Sequence, residues 1–184
     1  FMTGAASLAG ATVVGINPTR RGAGLERDIR HTDCQILVTE DRHRELLAGL
    51  ELGIPDDRRF DIASPAWRDA LAPFAGAQAP KIEADPRAIY MLIFTSGTTG
   101  EPKAAICSSM RTAMAGKVLA QMRGLTSKDV GYLAMPLFHS NAHMAGVAPI
   151  MAAGGAFGMR RKFSASAFLP DVRKFGVTYF NYVG

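Results

Sequence analysis

Cysteine is scarce in this chain, and the two present, Cys34 and Cys107, are far apart. That excludes a disulfide framework, and two free thiols fit a reducing compartment such as the cytoplasm. No cluster of Cys and His has the spacing of a zinc site. Long basic runs are missing too. The net charge of +5 comes from scattered arginines, with short clusters only at Arg20-Arg21, Arg58-Arg59 and Arg160-Arg161-Lys162. Without a basic stripe or interleaved aromatics, a nucleic-acid partner is not expected. No run is both long and apolar enough for a membrane span, which needs about 20 such residues. The uncharged stretches at 1–16 and 142–159 are broken by glycines, and the first lacks the basic start of a secretory signal. Peripheral membrane contact and oligomeric state stay open.

What is present is a hydrophobic share of 48% in 184 residues, enough for one sizeable core or two small lobes. Strand-like and helix-like segments alternate. Expected strands are 11–16, 35–39 (buried), 59–62, 89–94, 104–107, 130–135, 156–159 and 177–183. Expected helices are 1–9, 22–31, 41–50, 67–71, 108–123, 139–153 and 165–174. Asp41 is the expected cap of the 41–50 helix, with Leu46, Leu47 and Leu50 on its apolar face. Ser108 or Ser109 caps 108–123, with Met114, Val118, Leu119 and Met122 facing inward. The alternation predicts an α/β fold with mainly parallel sheets flanked by helices. Residues 1–86 read as a first αβ portion and linker, and 87–184 as a second. The chain opens within a helix pattern and stops on an apolar run, as a fragment of a longer enzyme would.

The chemistry concentrates where the strand at Ile89 opens into Thr95-Ser96-Gly97-Thr98-Thr99-Gly100-Glu101-Pro102-Lys103. Gly97 and Gly100 let backbone approach a ligand closely. Successive N–H groups form an anion nest, and the hydroxyls of Thr95, Ser96, Thr98 and Thr99 add donors. Pro102 stiffens the exit and Lys103 supplies a point charge for phosphate. The plain alternative is a polar turn between two strands. The lysine lies three residues past the second glycine, and a short strand rather than a helix follows. A Walker A loop is therefore excluded. A second candidate is Pro136-Leu137-Phe138-His139, between a strand and a helix. In parallel sheets such strand ends border the ligand crevice, so both segments are expected to face one pocket.

The stretch Thr95 to Lys103 matches the T-S-G-T-T-G-x-P-K pattern completely, and Pro136 to His139 matches P-L-F/Y-H. The chain thus resembles the acyl-adenylate-forming superfamily, specifically the large N-terminal domain. Ala104-Ala105 after the lysine, the run Lys162 to Phe168, and Tyr179 to Gly184 resemble its very-long-chain and fatty-acid-transport-protein branch. Gly10 to Asn17 resembles a segment common to acyl-CoA synthetases. The resemblance implies a fragment of an ATP-dependent fatty acid–CoA ligase. Such an enzyme uses ATP, Mg²⁺ and coenzyme A with a fatty acid as substrate. Thr95, Ser96, Gly97, Thr98, Thr99, Gly100 and Lys103 would bind the nucleotide phosphates. Phe138 and His139 would line the acyl or pantetheine path, and His143 matches no shared motif and reads as structural or pocket-lining. The metal ligand is left unassigned. The family's Y-G-x-T-E and T-G-D segments and its C-terminal catalytic lysine lie past the equivalent of Gly184. No catalytic residue is therefore assigned, and the fragment alone is expected to be inactive. A non-catalytic nucleotide-binding or interaction module and a peptide-synthetase adenylation domain are the alternatives.

Overall fold

The structure, a computed structural model, describes residues 2–79, 81, 83, 85–95 and 103–183. Its strands form three small sheets. In the first, β1 (Val13–Gly15) runs parallel to β4 (Ile89–Thr95), and β4 runs antiparallel to β5 (Lys103–Ser108). In the second, β2 (Leu37–Thr39) and β3 (Arg59–Asp61) are parallel. The third has the order β7-β6-β8, built from β6 (Val130–Leu133), β7 (Ala156–Met159) and β8 (Tyr179–Phe180), all parallel. Four of the five strand pairs are therefore parallel, in keeping with the α/β expectation. β1, from the first expected portion, pairs with β4 of the second.

β4 shows why it is a strand. Met91 and Ile93 are buried on one face while Leu92 and Phe94 between them are half-buried, the period of two of a pleated chain. Met91, Ile93 and Cys107 of β5 form one core, with Val13, Tyr90 and Met144 packed on it. A separate core forms under α2 (Gly22–His31), where Leu25 and Ile29, four apart, meet Leu52 and Ile54. The helix also buries Asp28, whose carboxylate takes the Arg20 guanidinium at 2.9 Å.

Several elements depart from expectation. The helix expected over 41–50 is a 3-10 helix, Asp41–Leu47, without a side-chain cap. Asp41 accepts the N–H of Arg42 at 2.7 Å, a local bond that competes with helix capping. Leu46, Leu47 and Leu50 still pack on the α2 core. β2 is shorter than expected and half-buried, not buried, and Ile36 before it is exposed. β8 covers two residues of the seven expected.

The larger correction concerns α4 (Ser109–Arg123). Ser108 caps it, accepting the N–H of Arg111, and Gly124 ends it in the left-handed region. Its buried residues, however, are Gly116 and Ala120. Met114, Val118 and Met122 are exposed, and Leu119 is half-buried. The cause is α5 (Ala148–Ala153), which lies so close that a Cβ on Gly116 would sit 2.5 Å from the Ala148 carbonyl oxygen. Only small side chains allow that approach.

The helix expected over 139–153 is π-helical over Ala142–Val147 before α5 begins. Pro149 has no N–H, so Ala145 lacks its α-helical donor four residues on. The Tyr179 hydroxyl donates to that carbonyl at 2.7 Å. α6 (Ala165–Phe175) packs on the third sheet. Its Asp171 is buried and accepts from the Tyr132 hydroxyl at 2.9 Å and from both Nε and Nη2 of Arg160 at 2.5 and 2.9 Å. Among the described residues no helix is long and apolar enough to cross a membrane.

Candidate functional site

β4 and β5 are the two arms of a hairpin. Thr95 and Lys103 are its last described cross-strand pair, and the Thr95 hydroxyl donates to the Lys103 carbonyl at 3.3 Å. The residues between lie outside the described ones. Of the expected phosphate-binding set, Ser96, Gly97, Thr98, Thr99 and Gly100 fall there, and Thr95 and Lys103 mark its two ends. Both of these are exposed, and among the described residues no carboxylate forms an ion pair with Lys103. An ammonium without a carboxylate partner among the described residues suits an anionic ligand.

Because β1 is parallel to β4, both strands end at the same edge of the first sheet, with Gly15 beside Ile93. Phe138 lies against that end. A Cβ on Gly15 would come within 2.9 Å of Phe138 Cα and Cβ. The Pro136–His139 turn is thus brought to the edge at which β4 leads toward the glycine- and hydroxyl-rich loop. Phe138 is half-buried and His139 exposed, their rings 4.3 Å apart and tilted by 47°. The turn is closed locally by the N–H of His139 to Pro136 O and of Ala142 to His139 O, each at 3.1 Å.

His143, one helical turn on, is buried. Burial pulls its pKa below the ordinary histidine value, and a hydrogen bond with the Leu137 backbone partly offsets this. Its Nε2 has no partner among the described residues. Asn181, just after β8, lies in the Tyr179 to Gly184 stretch, where its residue type alone gives no sign of a role at the site. Its amide donates to Asn141 Oδ1 at 2.6 Å and Asn141 O at 3.4 Å. Beside it is an apolar cleft of about 360 Å³, lined by Met135 and the aromatics Tyr132, Phe163, Phe168, Phe180 and Tyr182. Of the expected binding residues, the four described ones, Thr95, Lys103, Phe138 and His139, do not line that cleft. Among the described residues no three His, Cys, Asp or Glu side chains converge as a metal site.

The profile of the family described as AMP-binding enzyme matches residues 1–184. This chain belongs to that family. It is 49% identical over its full length to the steroid-22-oyl-CoA synthetase of Rhodococcus jostii (strain RHA1), covering 33% of that protein. It is 44% identical, again over its full length, to the medium/long-chain-fatty-acid–CoA ligase FadD17 of Mycobacterium marinum (strain ATCC BAA-535 / M), covering 35% of it. Human long-chain fatty acid transport protein 6 is 42% identical over 51% of this chain and 15% of its own length. The chain therefore spans about a third of the curated relatives that match it throughout. Its fold is that of a solved structure described as a putative long-chain-fatty-acid CoA ligase from Rhodopseudomonas palustris CGA009. The TM-score is 0.85 at 20% identity, covering 100% of this chain and 47% of that one.

Proposed function

We propose that this chain is the phosphate-binding part of the large N-terminal domain of an ATP-dependent acid–thiol ligase acting on a long or bulky apolar carboxylic acid. The observation that carries this reading is the seat of Phe138 on Gly15, at the sheet edge where Thr95 and Lys103 flank the glycine- and hydroxyl-rich loop. In this reading the acid's carboxylate oxygen attacks the α-phosphorus of ATP and pyrophosphate leaves. The thiol of coenzyme A then displaces AMP. Bound Mg²⁺ neutralises charge on the phosphate oxygens.

The chain's own residues hold the reactants. Gly97 and Gly100 open the backbone to the β- and γ-phosphates, and Thr95, Ser96, Thr98 and Thr99 donate hydroxyl hydrogen bonds. The Lys103 ammonium stabilises charge that grows on phosphate as the bond to pyrophosphate breaks. One of the threonine hydroxyls would help to hold Mg²⁺ when it is bound. Phe138 and His139 line the path of the acyl group or of the thiol arm. The aromatic cleft beside Asn181 offers apolar surface in the same chain. The two relatives that match throughout bear names for a steroid side-chain acid and for medium or long fatty acids, and both classes fit this apolar site.

The test is ATP–pyrophosphate exchange by the full-length protein with steroid side-chain acids and with short, long and very long fatty acids. Exchange that depends on one acid class and falls about a hundredfold in Lys103→Ala supports the reading. Folded protein that gives no exchange with any acid refutes it in favour of a non-catalytic nucleotide-binding or interaction module.

A further inference from the structure

We infer that Asn181 is a positioning residue for the Phe138–His139 turn, acting through Asn141. This rests on the ligase reading above. The bonds inside the turn, Pro136 to His139 and His139 to Ala142, fix its shape and not its place. Its seat comes from elsewhere. On one side Phe138 rests on Gly15 of the first sheet. On the other, the Asn181 amide reaches from the third sheet across 40 residues of sequence and donates to both the side chain and the backbone of Asn141.

The surroundings fit that clamp. Gly146 lies over the Asn181 side chain, and a Cβ there would meet Asn181 Oδ1 at 3.2 Å and Leu133 at 2.8 Å. The π-helical turn over Ala142–Val147 begins directly after Asn141, so the backbone here departs from α-helical register. Tyr179 fixes the same helix further along, at Ala145 O. Two side chains from the β8 segment thus hold one helix, and of these two Asn181 grips the end that carries His139. Without it, the exposed His139 keeps its stacking partner and loses the anchor two residues away. An error of position at a reacting site costs rate steeply, whereas fold stability feels only the lost hydrogen bonds of one amide.

The experiment compares Asn181→Ala, Asn141→Ala, the double variant and Tyr179→Phe in the full-length protein. ATP–pyrophosphate exchange and acyl-thioester formation are measured separately. His139 is followed by NMR of labelled histidine, assigned by its loss in His139→Gln. The Phe138 ring, 4.3 Å away, makes its shift a reporter of the turn's geometry. Expected is acyl-thioester formation reduced about tenfold in both single asparagine variants. The double variant is expected to be no worse than either. The His139 resonance moves in these variants and stays in place in Tyr179→Phe. Undiminished thioester formation in folded protein, multiplicative losses in the double variant, or an unmoved His139 resonance overturns the assignment. If the parent protein carries out neither step, the ligase reading fails, and the His139 resonance still decides the clamp.

Discussion

Gly116→Ala sets two effects of known sign against each other. In a helix interior alanine is favoured over glycine by about 1 kcal/mol, so a free-standing α4 would gain stability. At this position the new Cβ would sit 2.5 Å from the Ala148 oxygen, 2.7 Å from its carbonyl carbon and 3.0 Å from its Cβ. The nearest atoms are backbone, which no rotamer change relieves. The two helices would have to separate by about 0.5–1 Å to restore ordinary contact. α5 has no room to retreat. Ile150 on it is fully buried, and its Cγ1 lies only 2.6 Å from where a Cβ on Gly131 of β6 would be. Overpacking of this kind costs about 1–3 kcal/mol. Because it falls on backbone, the upper half of that range applies. After the propensity gain the variant is less stable by about 1–2 kcal/mol, with a lower urea midpoint and an unchanged m-value. Gly4→Ala is the control. Gly4 lies in α1 (Met2–Leu8), where an added Cβ meets nothing within 4 Å, and the same propensity term should raise the midpoint. A raised midpoint for Gly116→Ala as well would refute the close contact of α4 with α5.

Two further predictions concern pH. Burial holds the His143 pKa below its ordinary value of about 6.5, so the unfolded chain takes up a proton first as pH falls. Its contribution is whole above that value and is lost as pH drops through the folded pKa. In His143→Gln, urea midpoints should fall less between neutral pH and about pH 5 than in the parent. The Asp171 carboxyl is held below the ordinary carboxylate value, chiefly by the hydrogen bonds from Arg160. Its stabilisation is present above about pH 4 and is lost below it as the carboxyl protonates. Asp171→Asn should lower the midpoint at neutral pH and remove part of the decline on acidification, and an unaltered acid limb would count against the Tyr132–Asp171–Arg160 network.

The sequence disclosed elements whose own residues decide them. α2 is found at its expected bounds because Leu25 and Ile29 recur four apart between Gly22 and the polar Thr32-Asp33. β7 is likewise where its short apolar run lies. The inward face of α4 was not legible. Hydrophobicity points to Met114, Val118 and Met122, yet burial follows Gly116 and Ala120. How near a second helix comes is a property of two segments, and one segment's periodicity does not carry it. The same holds for the 3-10 geometry at Asp41–Leu47, which a leucine pattern does not distinguish from an α-helix.

The candidate site divides along that line. The loop from Thr95 to Lys103 and the turn from Pro136 to His139 are local motifs, each readable from residue types alone. What brings the turn to the sheet edge at the end of β4 is not local. Gly15 belongs to a strand more than a hundred residues before Phe138, and it reaches that neighbour only because β1 pairs with β4 in parallel register. Asn181 reaches Asn141 only because β8 pairs with β6. The turn that carries His139 is therefore seated by one contact from each of two sheets, and residue types alone disclose neither contact. A substitution at Gly15 or at Asn181 leaves both motifs intact as sequence while moving the residues that would meet the substrate. Gly15→Ala drives a Cβ into the Phe138 backbone at 2.9 Å, so the motif survives and its placement does not.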